Sequence, residues 1–310
     1  MKRLALLLLW LAAPILRANY PWTGTAPADI AAAALTPDTV LDEQPCNWRP
    51  ALTPIATRLV HDCNSAREAV LQLAARLSRE TGVHYSTSRR KHNMNALEAL
   101  AEKKVSCTGQ SILLVCALRS VGIPARAAGV PTWNHIRGNH TWVEAWFDGA
   151  WHMIEFNEKE FNTPWVMENI GMLDTRQPEQ RIKAASPAGK ERWTLPSDQH
   201  QDGIAAEDVT ERYLALSLSW YQHNGLHPAC QRLMVDIQPR CDTPGTIELL
   251  NENNRIIDTA GLPRRQDDMR YRARLALPRQ GQFYLRIQGS SQKIPVHATE
   301  SAVQLIQLQR

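Results

Sequence analysis

Residues 106–124 read Ser106-Cys-Thr-Gly-Gln-Ser-Ile-Leu-Leu-Val-Cys-Ala-Leu-Arg-Ser-Val-Gly-Ile-Pro124. The strongly apolar run predicts a buried helix from Cys107 to Val121, stopped by Gly122 with Pro124 beyond it. A cysteine at the first turn of such a helix meets unpaired backbone N–H groups and the positive end of the helix dipole. Both favour the thiolate, which is the nucleophilic form of the side chain. The same N–H groups can stabilise an oxyanion formed by its attack. Cys116 lies nine residues further on, roughly 180° around a helix of 3.6 residues per turn. It therefore faces away from Cys107 and is assigned to the core.

Downstream, His140-Thr-Trp-Val-Glu-Ala-Trp-Phe147 and Ala150-Trp-His-Met-Ile-Glu155 flank Asp148-Gly149, a strong two-residue hairpin signal. With those two residues in the turn, Phe147 pairs with Ala150, Trp142 opposes Glu155, and His140 opposes Asn157. Side chains alternate along a strand, so His140, Trp142, Glu155 and Asn157 share one face. Glu155 is then the diagonal neighbour of His140. It could orient the imidazole and stabilise its cation, while His140 takes a proton from Cys107 and returns it to a leaving group.

Working outward, Ser65-Ala-Arg-Glu68 is a capping-box pattern, and Val70, Leu73, Ala74 and Leu77 repeat at helical spacing as far as Thr81-Gly82. A short helix is expected over Asn95–Lys103, and strands over Ala125–Val130, His140–Phe147 and Trp151–Phe156. Residues 19–62 read as an irregular segment with one short helix. Residues 175–202, with Pro178, Pro187 and Pro196, read as a connection. From Val209 onward the pattern is β throughout: Leu233, Val235 and Ile237 alternate, as do Tyr271, Ala273, Leu275 and Leu277, with a turn at Asn251–Asn254. About a hundred residues of short strands imply an immunoglobulin-like sandwich. The expected division is a leader at 1–18, an irregular segment at 19–62, a catalytic domain at 63–175, a linker at 176–202 and an all-β domain at 203–310.

The chain has 310 residues, 44% of them hydrophobic and 21% charged, with a net charge of +4. That composition excludes a disordered or collagen-like protein. Lys2, Arg3 and Arg17 carry three of the net charges, and without them the balance is +1, which gives no reason to expect a nucleic-acid or membrane-surface partner. Lys2 and Arg3 precede the apolar run Leu4–Leu16, with Ala18 after it. This matches a secretory signal and implies a secreted or periplasmic protein with no membrane span in the mature chain. Export makes disulfides permissible, and Cys46–Cys63 and Cys230–Cys241 are the favoured pairs. Cys46, His61 and Cys63 match no common zinc spacing, no acidic calcium loop is present, and no cofactor is expected.

The run from about Tyr85 to Trp165 resembles the transglutaminase-like superfamily of papain-type thiol enzymes. The segments that carry the likeness are Cys107-Thr-Gly-Gln-Ser111, Leu118-Arg-Ser-Val-Gly-Ile-Pro-Ala-Arg126, His140-Thr-Trp-Val-Glu-Ala-Trp146 and Asp148-Gly-Ala-Trp151, with an acid four residues later. The resemblance implies an α+β fold, with the cysteine-bearing helix packed on an antiparallel sheet. It also implies Cys107 as nucleophile, His140 as base and Glu155 as third residue. The third residue is usually Asp, so Asn157 and Glu158 stand as alternatives to Glu155 here. The implied chemistry is acyl transfer from a peptide or protein amide through a thioester, resolved by water (a peptidase or amidase) or by an amine (crosslinking). Hydrolysis is the favoured outcome, and a non-catalytic scaffold retaining the fold is the rival. Trp133 and His135 are candidates to line the cleft, Trp146 and Trp151 to pack the core beneath the hairpin, and Arg126 to form a structural ion pair.

Overall fold

The computed structural model describes residues 20–35, 37–133, 138–194, 203–240, 242–265, 272–299 and 303–309. The leader expected at 1–18 lies outside these residues, as do His135 and Cys241. The chain forms two compact units, one comprising residues up to Thr163 together with Thr175–Thr210, the other Pro164–Asp174 and Glu211–Arg310.

The first unit is α+β. In chain order it contains α1 (Ala28–Ala34), α2 (Arg49–Leu59), α3 (Ala66–Thr81), β1 (His84–Tyr85), α4 (Ala96–Glu102), β2 (Lys104–Val105) and α5 (Cys107–Ser120). There follow β3 (Ala125–Val130), β4 (His140–Phe147), β5 (Ala150–Ile154), β6 (Lys183–Ala185), β7 (Glu191–Trp193) and β8 (Ile204–Asp208). The last six strands form one sheet in the order β5-β4-β3-β6-β8-β7, with every neighbouring pair antiparallel. Helix α3 carries the expected caps: the Ser65 hydroxyl accepts from the Glu68 N–H, and Gly82 takes the left-handed conformation at φ 75°. Helix α5 is buried from Thr108 to Arg119 except at Gln110, as its near-continuous apolar sequence requires. Fully burying one Leu or Ile is worth about 1.5–3 kcal/mol, so Ile112, Leu113 and Leu114, all inaccessible, anchor this helix strongly.

Three readings of the sequence are corrected here. Residues 19–62 hold two helices and belong to the core of the first unit, where Trp22, Val40, Leu41 and Trp48 are buried. The indoles of Trp22 and Trp48 donate to Val121 O and Asp38 O at 2.9 and 2.8 Å. The buried Arg119 guanidinium holds Pro37 O and Thr39 O at 2.9 and 2.8 Å. The segment 176–202 supplies β6 and β7 to the sheet. At three residues each, these strands are too short to show alternation between the prolines. Finally, Cys46 and Cys63 are free thiols. The eleven-residue α2 lies between them, and a rigid rise of about 16 Å opposes closing a bridge that needs Cα atoms within ~7 Å.

The second unit contains α6 (Pro164–Ile170), α7 (Thr210–His223) and the strands β9 (Cys230–Gln238), β10 (Thr246–Asn251), β11 (Ile256–Gly261), β12 (Ala273–Pro278), β13 (Phe283–Ile287), β14 (Ile294–Val296) and β15 (Val303–Gln309). They form a four-stranded sheet, β11-β10-β13-β14, and a three-stranded sheet, β12-β9-β15. Leu233, Val235, Ile237, Ala273 and Leu275 from the smaller sheet share one apolar cluster with Ile247, Leu249, Phe283 and Leu285 from the larger. The opposite face of β9 is covered as well, Met234 packing with Tyr221 of α7 and Met172. The all-β expectation from Val209 onward fails at α7. There, Tyr213, Ser217 and Tyr221 are buried at four-residue spacing, and no Val or Ile interrupts a run that holds Leu214, Leu216 and Leu218.

Candidate active site

The start of α5 is fixed from three sides. The Ser106 hydroxyl accepts from Gly109 N–H at 3.0 Å and donates to His92 O at 2.6 Å, capping the first turn. A Cβ on Gly109 would fall 2.9 Å from Val105 Cβ, so only glycine allows that turn to sit against β2. Thr108 and Thr141 share a hydroxyl hydrogen bond at 3.0 Å, and Ser111 Oγ donates to Thr141 O at 3.0 Å. These bonds tie the helix to the beginning of β4, beside His140.

The hairpin has the expected register. Asp148 and Gly149 both take positive φ, 50° and 76°, as a type I′ turn requires. Phe147 pairs with Ala150, and the pairing runs unbroken to Val143 with Ile154. His140 opens β4, and Glu155 follows the last residue of β5. On the other side, Gly129 of β3 lies opposite Thr141. A Cβ there would fall 2.3 Å from His140 O and 2.9 Å from the Trp193 ring. The misread linker therefore furnishes an aromatic side chain packed behind the strand end that carries His140.

The three side chains converge. His140 Nε2 lies 2.6 Å from Glu155 Oε1, and the imidazole is also hydrogen-bonded to Cys107. The Thr141 N–H and the Thr108 hydroxyl also face Cys107 and favour its anion. Burial is the largest single influence on Cys107 and opposes its ionisation. The His140 hydrogen bond and charge, with the Thr141 and Thr108 donors, outweigh it and hold the thiol below its ordinary pKa. His140 shows the reverse balance: burial pushes it down, but its bonds to Cys107 and Glu155 raise it to about 10. Glu155 is pushed up by burial yet ends below the usual carboxylate range, because His140 and the Thr163 hydroxyl both donate to it. Together these shifts favour a thiolate–imidazolium pair braced by a carboxylate.

Asn157 and Glu158, the alternatives for the third position, are exposed, and the Asn157 N–H is bonded to Ala74 O at 2.9 Å. Thr163 had no signal in the sequence: it lies eight residues beyond Glu155, is buried, and donates from Oγ1 to Glu155 Oε2. Trp133 and Trp142 are buried with their rings 6.3 and 6.0 Å from that of His140. Trp146 and Trp151, expected in the core, are instead half-exposed and meet edge to face at 5.3 Å. Arg126 is bonded through Nε to the fully buried Glu144 at 2.8 Å and through Nη1 to Glu207 at 2.9 Å. Among the described residues no cluster of three His, Cys, Asp or Glu side chains is placed to hold a metal ion.

The sequence of residues 53–156 matches the transglutaminase-like superfamily. That match starts within α2 and ends one residue beyond Glu155, so it encloses Cys107, His140 and Glu155. No curated protein matches the chain by sequence. Among solved structures it is similar to a candidate cysteine protease from Cytophaga hutchinsonii, at 14% identity over 59% of this chain and 63% of that one, with a TM-score of 0.36. It is also similar to the periplasmic domain of TgpA from Pseudomonas aeruginosa (20% identity, 36% of this chain and 45% of that one, TM-score 0.30). A third is red sea bream transglutaminase (12% identity, 75% of this chain and 54% of that one, TM-score 0.33). The chain spans less than two thirds of each of these structures.

Proposed function

We propose that the protein is an exported cysteine acyltransferase that hydrolyses peptide or protein amides. The observation that carries the reading is the convergence of Cys107, His140 and Glu155, with His140 facing the thiol and its Nε2 2.6 Å from Glu155 Oε1. In this reading Cys107 Sγ attacks the amide carbon, and His140 protonates the departing amine as the C–N bond breaks, leaving a thioester. His140 then draws a proton from water, which attacks the thioester, releasing the acid and restoring the thiol. Glu155 keeps the ring oriented and its cation stabilised. Among the described residues, the N–H groups of Cys107 and Thr108 have no partner inside the helix, because the bonds from Gly109 and Gln110 are the first to reach back, to the Ser106 side chain and carbonyl. They are the donors available to an oxyanion.

Export rests on the basic head and apolar run at residues 1–18. The second unit is read as an immunoglobulin-like sandwich that positions substrate or attaches the enzyme to a surface. The test is a panel of peptide and cell-wall amides assayed with the Cys107→Ser variant as control, alongside a glutamine peptide offered with a labelled primary amine. Cleavage or ammonia release that disappears in the variant, without label incorporation, is the expected result. Label incorporation would select crosslinking instead, and activity undiminished in the variant would overturn the mechanism.

A further inference from the structure

The loop that follows β1 carries Arg89, Arg90, Lys91 and His92 in succession, and these cations are not equivalent. Arg90 is paired with Glu98 and Glu102, and Lys91 with Glu98. Among the described residues Arg89 has no acidic partner. Its Nη1 donates to Ser86 O at 2.9 Å, its Nη2 meets His92 Nδ1 at 3.1 Å, and its Nε is buried with no hydrogen-bond partner. The guanidinium lies 5.9 Å from the ring centroid of Tyr85, an aromatic side chain that is 54% exposed. The buried Nε cannot meet a ligand, but Nη1 and Nη2 each keep a second N–H, and such a cationic fork beside an exposed aromatic face suits a carboxylate on an extended chain.

Its position follows from the backbone. Tyr85 pairs with Val105, two residues before Cys107, and Ser86 N–H donates to Val105 O at 2.9 Å. His92 O accepts the Ser106 hydroxyl at 2.6 Å. Arg89 bonds to both Ser86 and His92, so it is tethered at two points to the residues that lead into the thiol.

We propose that Arg89, with Tyr85 beside it, forms a carboxylate-recognition subsite, so that the preferred acyl donor is an acidic peptide chain. The proposal rests on the reading of Cys107 as an activated thiol. Alkylation of the full chain at pH 6, measured on the Cys107 peptide by mass spectrometry, tests the two ideas separately, because iodoacetate carries a carboxylate and iodoacetamide of nearly the same size does not. Arg89→Gln should slow iodoacetate by about fivefold, the effect of removing one nearby charge at intermediate screening, and leave iodoacetamide within about twofold. Arg89→Lys, which keeps the charge, should recover most of the iodoacetate rate. An unchanged ratio of the two reagents in Arg89→Gln, while iodoacetamide still reacts rapidly, would overturn the subsite and leave the thiol reading standing. Slow iodoacetamide labelling of the unaltered protein would overturn both.

Discussion

Helix α5 holds two cysteines nine residues apart, and they experience opposite environments. Cys107, at the first turn, faces His140, Thr141 and Thr108, and its thiol is held below the ordinary value. Cys116, within the same helix, is fully buried, and burial drives its thiol far above that value. Both are buried enough for desolvation to be the largest influence. Burial therefore does not set the direction of the shift; the donors and the cation that face the thiol do. The comparison makes Cys116 an internal control for every test of Cys107.

The largest expected effect is on turnover. Cys107→Ser should reduce it by about 10⁴-fold or more, whereas Cys116→Ala should leave it unchanged and cost about 1 kcal/mol of stability through lost packing. Equal effects of the two substitutions would erase the contrast. Next comes the support behind His140. Glu155→Gln should lower kcat by about 10³-fold, since it removes the charge that stabilises the imidazolium. Thr163→Val should lower it by about tenfold or less, with KM little altered, because Thr163 acts only through Glu155. A Thr163→Val loss as large as that of Glu155→Gln would mean that the hydroxyl does more than position the carboxylate. At the far end of the scale for turnover is the buried Arg126–Glu144 pair. Glu144→Gln should cost about 3 kcal/mol in urea unfolding, because the buried Arg126 cation loses a partner, and should leave kcat within about twofold. This outcome would separate an acid on β4 that serves the fold from the one beyond β5 proposed to serve the site.

The geometry also sets a pH window. The thiolate–imidazolium pair exists above the lowered pKa of Cys107 and below that of His140, about 10. Turnover should rise as Cys107 ionises and fall as His140 loses its proton on the alkaline side. A rate that climbs steadily through pH 10 would show that His140 is not the proton donor.

The parts of the site that were legible in the sequence depend on local geometry. Cys107 was placed by the helix start and the apolar run after it. The register of His140 and Glu155 followed from the Asp148-Gly149 turn, which fixes the pairing residue by residue. What was not legible depends on contacts distant in sequence. Thr163 reaches Glu155 from a loop, and Trp193 packs on Gly129 from a three-residue strand. Strands β6 and β7 acquire their pairing only once β3 and β8 are present. Helix α7 was obscured by the alternating strands that follow it.

The measurement that bears most directly on the account is the pH dependence of Cys107 alkylation by iodoacetamide, in the unaltered protein and in His140→Gln, with Cys116 followed in the same digest. The account predicts half-maximal reactivity of Cys107 well below the ~8.5 of a free thiol, a shift to that value or above in His140→Gln, and an unreactive Cys116 throughout. A Cys107 profile centred at or above ~8.5 in the unaltered protein, and unmoved by the substitution, would contradict it.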